Sequence, residues 1–240
     1  MRVSATGLMT LLATPVLVLA TSCSGGSGDG GDAKATPSAD RSPRATKAAS
    51  RLERAALAQG DLKGYRVTSR KAGNWAGGRP KARESRCQPL ADSTGDKPSP
   101  GAKETVRRGV NSLKVPYKGI TAGLSTYGTA AGAKSYLRDL RTAVTACSGG
   151  FATTLSGQTV KYGQVRSRRA DPAGDDILAY RMTALAQGAK IPLNFVVIRS
   201  GPTIAFFAGV DLKRFTDFPP PRTLIDKQLD KLGKLPKDKR

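Results

Sequence analysis

Ile191-Pro192-Leu193-Asn194-Phe195-Val196-Val197-Ile198-Arg199-Ser200-Gly201-Pro202-Thr203-Ile204-Ala205-Phe206-Phe207-Ala208-Gly209-Val210 is the stretch that decides the fold. Two apolar runs flank Ser200-Gly201-Pro202, a turn sequence, which predicts a β-hairpin with strands over 191–199 and 203–210. Phe195-Val196-Val197-Ile198 and Ile204-Ala205-Phe206-Phe207 are almost continuously apolar, which marks both as central strands. Upstream, residues 159–166 and 176–185 extend the hairpin into an antiparallel meander.

Working outward, Ile120, Ala122, Leu124 and Thr126 alternate on one face of a half-buried strand over 119–127. The clearest helix follows it. Ala133, Tyr136, Leu137, Leu140, Ala143, Val144 and Cys147 recur at spacings of three and four, and Ser148-Gly149-Gly150 ends the stripe. Leu52, Ala55 and Ala56 predict a short first helix stopping at Gly60, after which 61–67 turns into a strand. Residues 72–102, rich in glycine, proline and charge, read as mostly loop around Cys87. At the other end, Ile225, Leu229 and Leu232 form a narrow stripe over 223–232, before a basic tail of Lys234, Lys237, Lys239 and Arg240. Local strands with helices packed on one face make a single α+β domain over residues 51–240, an antiparallel sheet packed by helices.

The start of the chain has a different character. Arg2 precedes a mostly apolar run over 8–19, and Ala20-Thr21-Ser22 sets small residues before Cys23. The run is about 12 residues, too short for the ~20 needed to span a bilayer, so residues 1–22 read as a cleaved signal peptide. It resembles bacterial lipoprotein signals, which implies that Cys23 is lipidated as the first mature residue. Residues 23–50, starting Ser24-Gly25-Gly26-Ser27-Gly28, hold too little apolar surface to offset their ordering entropy and read as a flexible tether. Lipid anchoring at the extracytoplasmic face of the membrane is the expected location.

Charge and cysteine usage fit that location. The chain carries 40 Lys and Arg against 18 Asp and Glu, a formal charge of +22, nearly all of it within 51–240. In a cytoplasmic protein this excess would suggest nucleic acid. Outside the membrane it suggests anionic lipid headgroups or cell-wall components, so no nucleic-acid partner is expected. With Cys23 lipidated, Cys87 and Cys147 remain as an even pair in an oxidising compartment and are expected to form a disulfide. Closing a loop of about 60 residues stabilises by roughly 4 kcal/mol in the chain-entropy model.

Asp61-Leu62-Lys63-Gly64-Tyr65, the cysteine some twenty residues later, the helix ending Ala146-Cys147-Ser148-Gly149-Gly150-Phe151, Asp175-Asp176 entering a strand and the hairpin Val196-Val197-Ile198-Arg199-Ser200-Gly201 carry a family resemblance. Together they resemble the extracellular sensor domain of mycobacterial PknH-type kinases and related actinobacterial lipoproteins, over roughly residues 50–235. The resemblance implies a sheet backed by helices around a cleft, tied by disulfides. It transfers no catalytic residue. This chain differs in having one candidate disulfide where the kinase domain has two, and no kinase or transmembrane segment, so signalling would need a partner.

The residue inventory points away from catalysis. With no histidine, Ser-His-Asp and Cys-His arrangements and the common histidine-bearing metal sites are excluded, and no CxxC spacing occurs. No enzymatic activity, metal or cofactor is expected. Asp171, Asp175 and Asp176 lie next to Arg166, Arg168 and Arg169, a pattern of charge pairing more than of a glycosidase acid and nucleophile. Gly128-Thr129-Ala130-Ala131-Gly132-Ala133-Lys134-Ser135 approaches a phosphate-binding loop, but Ala133 stands where glycine must precede lysine, and helix initiation accounts for it better. The candidate ligand-binding residues are Trp75, the sole tryptophan, and the cationic group Lys161, Arg166, Arg168 and Arg169. The expected function is a non-catalytic, sensor-like ligand-binding lipoprotein. The alternative is a structural or interaction lipoprotein that docks its basic surface on anionic envelope components.

Overall fold

The computed structural model describes residues 49–70, 78–96, 99–115, 118–186 and 188–234. Cys23, Trp75, Lys237, Lys239, Arg240 and nearly all of the 23–50 tether lie outside them. The strands are β1 (Tyr65–Arg70), β2 (Lys81–Ala82), β3 (Ala102–Ser112), β4 (Lys118–Tyr127), β5 (Phe151–Leu155), β6 (Gln158–Arg168), β7 (Asp176–Ala186), β8 (Ala189–Ser200) and β9 (Thr203–Asp211). The α-helices are α1 (Arg51–Ala55), α2 (Gln88–Thr94), α3 (Ala130–Ala146) and α4 (Arg222–Gly233). Among the described residues the nine strands join one antiparallel sheet in the order β1-β3-β4-β9-β8-β7-β6-β5-β2. Strand outweighs helix, so of the α+β expectation the coarser part holds: an antiparallel sheet with a few packed helices.

The β8–β9 hairpin sits in the middle of the sheet. Ser200 pairs with Thr203 around Gly201-Pro202, and Gly201 takes φ 57°, a conformation glycine adopts without steric cost. Successive residues of β8 serve opposite cores: Phe195 and Val197 pack with α2 and α3, Val196 and Ile198 with α1 and α4. This corrects the expected one-sided arrangement. Helices cover both faces, and the continuous apolar runs of β8 and β9 are the sequence trace of a two-faced strand.

On the first face, α3 begins at Thr129, whose Oγ1 accepts from the Gly132 N–H at 3.1 Å, and buries Ala133, Leu137, Leu140, Ala143 and Val144. Cys147, following its last turn, is disulfide-bonded to Cys87 with Cα atoms 6.0 Å apart. The expected loop at 72–102 is corrected in part: Ser85–Cys87 forms a 3-10 turn leading into α2, whose Leu90 and Ala91 are fully buried beneath α3.

On the second face, α1 and α4 are tied by one side chain. Gln228, 1 % exposed, accepts from the Leu57 N–H at 3.2 Å and donates to the Ala55 carbonyl at 2.7 Å. Strand β3 runs beneath α1 and was not foreseen, because Lys103, Glu104, Arg107 and Arg108 break its apolar alternation. Arg108 is buried facing α1, where it donates to the Leu57 carbonyl at 2.8 Å and to Glu53 at 2.5 Å.

Candidate functional site

The face carrying α2 and α3 is covered unevenly. Under α3, Leu178, Tyr180, Met182, Val197 and Ile204 are 6 % exposed or less. Towards the other end of the same strands, Val160, Ile191, Leu193, Phe206 and Ala208 are only half-buried, and no residue of α3 is among those that line the hollow beside them. The result is a cleft of about 310 Å³. Its floor is the sheet from β4 to β6, including Phe195, Phe206, Leu193 and Tyr162; the end of α2 and the following Gly95-Asp96 border it, and Leu155 and Leu212 add to its apolar lining.

Pairing explains why this end differs. Strand β8 pairs with β7 from Ala189 to Arg199 but meets β9 only from Asn194 onward, opposite Gly209. Residues 189–193 therefore have an open side, which accommodates Pro192 and its missing N–H. The chain leaves β9 in a turn held by Asp211, whose Oδ1 accepts from the Lys213 and Arg214 N–H groups at 3.1 and 3.0 Å and whose Oδ2 accepts from Thr216 at 2.7 Å. The Arg214 N–H and the Thr216 hydroxyl, with Lys213 N–H and Lys118 behind them, outweigh burial and lower the Asp211 pKa to about 2.

The polar groups of the cleft are few, and several are already committed. Ser93 donates to the Leu90 carbonyl, Thr94 to the Ala91 carbonyl, and Asp96 accepts from the Gly78 N–H. Arg107 donates to the Gly95 carbonyl at 3.0 Å and lies 6.0 Å from the centroid of the Phe206 ring. Burial pushes the Tyr162 phenol up, against hydrogen bonds with Thr94 and Thr153, so it is neutral at physiological pH. Such a lining suits an apolar guest with one or two polar contacts. None of these residues was singled out in the sequence, because their apolar side chains read as core; the one available signal was Pro192 within an otherwise central strand.

A second cleft, of about 240 Å³, lies on the opposite face between β6–β8 and the start of α4. Here the structure places part of the predicted cationic group. Strict alternation along β6 would set Lys161 against Arg166 and Arg168. A bulge between Gly163 and Arg166, with Gln164 at φ 54°, shifts the phase. Lys161, Arg166 and Arg168 then oppose Leu185, Arg181 and Ala179, all on one face of β7. Only Arg168 and the adjacent Arg169 line the cleft; Lys161 and Arg166 are exposed and outside it.

Arg168 is not free to take a ligand. It donates to Asn194 Oδ1 at 2.8 Å and to Asp217 Oδ2 at 2.6 Å. Burial would raise the Asp217 carboxyl, but the Arg168 hydrogen bond, the nearby Asn194 amide and the charges of Arg168 and Arg181 outweigh it and lower the pKa. Asp217 belongs to a strap that crosses Gly209 so closely that a Cβ there would stand 2.3 Å from the Phe218 carbonyl oxygen. The three aspartates of the 171–176 turn disperse into separate pairs: Asp171 with Arg222, Asp175 with Arg199 and Asp176 with Arg141. Among the described residues no group of three or more His, Cys, Asp or Glu could hold a metal ion, and no helix is long and apolar enough to cross a membrane.

No family model and no curated protein matches the chain. Among solved structures it is similar to the extracellular domain of PknH from Mycobacterium tuberculosis, with a TM-score of 0.45 and 8 % identity over 71 % of this chain and 81 % of that one. It is also similar to an uncharacterized protein from Mycobacterium smegmatis, with a TM-score of 0.36 and 10 % identity over 71 % of this chain and 86 % of that one.

Proposed function

We propose that the protein is a non-catalytic, sensor-like receptor, tethered through Cys23 to the extracytoplasmic face of the membrane, whose cleft on the α2–α3 face binds a lipophilic small molecule. The observation that carries this reading is the half-buried group Ile191, Leu193, Phe206 and Ala208 around a concavity of about 310 Å³. A basic docking surface needs no such hollow, and leaving these side chains wet costs roughly 25 cal/mol for each Å² that a guest would cover. The Cys87–Cys147 disulfide suits an oxidising compartment. The signal-like start, with Arg2, the apolar run and Cys23, supplies the anchor in this reading.

Thermal unfolding of the full chain, with a long-chain fatty alcohol or with inorganic polyphosphate at low and high salt, tests the proposal. Saturable stabilisation by the alcohol, unchanged by salt and worth about 2.7 kcal/mol at a hundred times its Kd, is expected. Stabilisation by polyphosphate alone, abolished by salt, would sink the receptor reading and favour electrostatic docking.

A further inference from the structure

We propose that one end of the sheet is a docking surface for an anionic lipid bilayer, on which apolar turn residues enter the headgroup layer while the lysines among them meet lipid phosphates. The proposal goes beyond the receptor reading and stands whether or not the lipophilic cleft takes a guest. Among the described residues the large hydrophobic side chains left exposed are Leu113, Val115, Leu185, Leu212 and Phe215. Strand register puts all five at the same end. Lys118 pairs with Asp211, so the β3–β4 turn carrying Leu113 and Val115 adjoins the chain leaving β9, which carries Leu212 and Phe215. Strand β8 begins at this end, ahead of its pairing with β9, and there Leu185 of β7 lies opposite Lys190 of β8 and Lys161 of β6. Scattered singly, such side chains are ordinary; gathered at one end, they mark a contact surface.

Charge decides the occupant. Segments 112–118, 158–161, 185–190 and 212–216 carry Lys114, Lys118, Lys161, Lys190, Lys213 and Arg214 and no Asp or Glu. Asp211 beside them is 1 % exposed and held in its turn, and Asp61 ahead of β1 is paired with Lys231 at 2.6 Å. The turns at the other end of the sheet, 128–129, 169–175 and 201–202, carry Arg169 against Asp171 and Asp175 and no exposed large hydrophobic side chain. Apolar side chains interspersed with cations match an anionic bilayer, where buried apolar area and attraction to headgroups add. A second copy of this chain would bring the same positive charge to the contact, which opposes association.

Local hydrogen bonds hold the two neighbouring turns in shape. Ser112 Oγ accepts from the Lys114 and Val115 N–H groups at 3.3 and 3.1 Å. Phe215 takes φ 52°, uncommon for a bulky residue, and is kept there by its N–H, which donates to the Asp211 carbonyl at 3.2 Å within the turn that the Asp211 carboxylate caps. Leu212 is 50 % exposed and also lines the lipophilic cleft, so on the receptor reading a guest drawn from the bilayer would enter from this side.

Fluorescence quenching in the full chain tests the surface, with Trp75→Phe so that a single introduced tryptophan reports. Leu113→Trp and Pro202→Trp place it in exposed turns at opposite ends, which the 12 residues of β8 separate by roughly 40 Å. On vesicles of phosphatidylglycerol and phosphatidylcholine with brominated acyl chains, the tryptophan at 113 should be quenched and shifted to the blue, and that at 202 should not. Quenching reports the depth of the labelled turn alone, so attachment elsewhere in the chain does not mimic it. Lys114→Glu should lower the ratio of docked to undocked turn roughly fivefold or more, whereas Lys103→Glu, an equal charge change near the other end of β3, should lower it less than about twofold. Equal quenching at both ends, or none at 113, would overturn the proposal, as would equal losses from the two charge reversals. A dimer in sedimentation without vesicles, dissociated by Leu113→Asp, would assign the apolar end to a second copy and overturn it as well. Circular dichroism of the variants checks that these exposed substitutions leave the fold intact.

Discussion

The two ends of the α2–α3 face are built from the same strands and the same kinds of side chain, yet one is dry and the other is open. Under α3, Tyr180, Met182 and Val197 are fully buried. Further along the same strands, Leu193, Phe206 and Ala208 keep part of their surface in water. The difference lies in the cover. A sheet of nine strands at about 4.8 Å spacing is roughly 38 Å wide, whereas a helix of 17 residues is about 26 Å long and 10 Å across. With only the short α2 beside it, α3 cannot roof the whole face. Equivalent apolar residues thus serve stability at one end and are available for recognition at the other.

The largest effect should come from releasing the roof. Replacing both Cys87 and Cys147 by serine should lower stability by roughly 4 kcal/mol in urea titration, since the bridge joins the start of α2 to the end of α3. A loss near zero would show that packing alone holds the roof. Leu140→Ala, on the buried face of α3, should cost about 2–5 kcal/mol while leaving binding of a lipophilic probe largely unchanged in the folded fraction.

At the open end the pattern should reverse. Leu193→Asn should change stability by no more than about 1 kcal/mol and weaken the probe by roughly tenfold. If stability falls as far as for Leu140→Ala, that end is core and the contrast between the two ends fails.

The smallest effect concerns pH. Asp211 has its pKa lowered to about 2, so its turn contributes stability that is complete above the unfolded value of about 3.9 and is lost as pH falls through about 2. Asp211→Asn should therefore flatten the acid arm of the stability–pH curve between pH 4 and 2, measured by thermal unfolding. An unchanged arm would remove Asp211 as the group that holds the chain where it leaves β9.

The sequence made several elements legible because each is encoded within a few residues. The stripe from Ala133 to Cys147 needs only the helical repeat, and the β8–β9 hairpin only two apolar runs and Gly201-Pro202. The expected pairing of Cys87 with Cys147 is present as well. Strand β3 was hidden by Arg107 and Arg108, whose charges are balanced only by contacts from elsewhere in the chain. Helix α2 was hidden in a segment rich in glycine, proline and charge. The cationic group was noticed, but alternation alone misplaces Lys161 relative to Arg168, because the bulge at Gly163–Arg166 resets the phase.

By itself, then, the sequence determined the antiparallel meander, the main helix and the cysteine pair, all features of local spacing and composition. Tertiary structure alone decided where the clefts lie and which charges are free. A cleft is a shortage of cover, set by the size of α3 relative to the sheet and by the short pairing of β8 with β9. That Arg168 is engaged likewise depends on Asp217, 49 residues away. Periodicity reports which side chains prefer to leave water; only the packed chain determines which of them can.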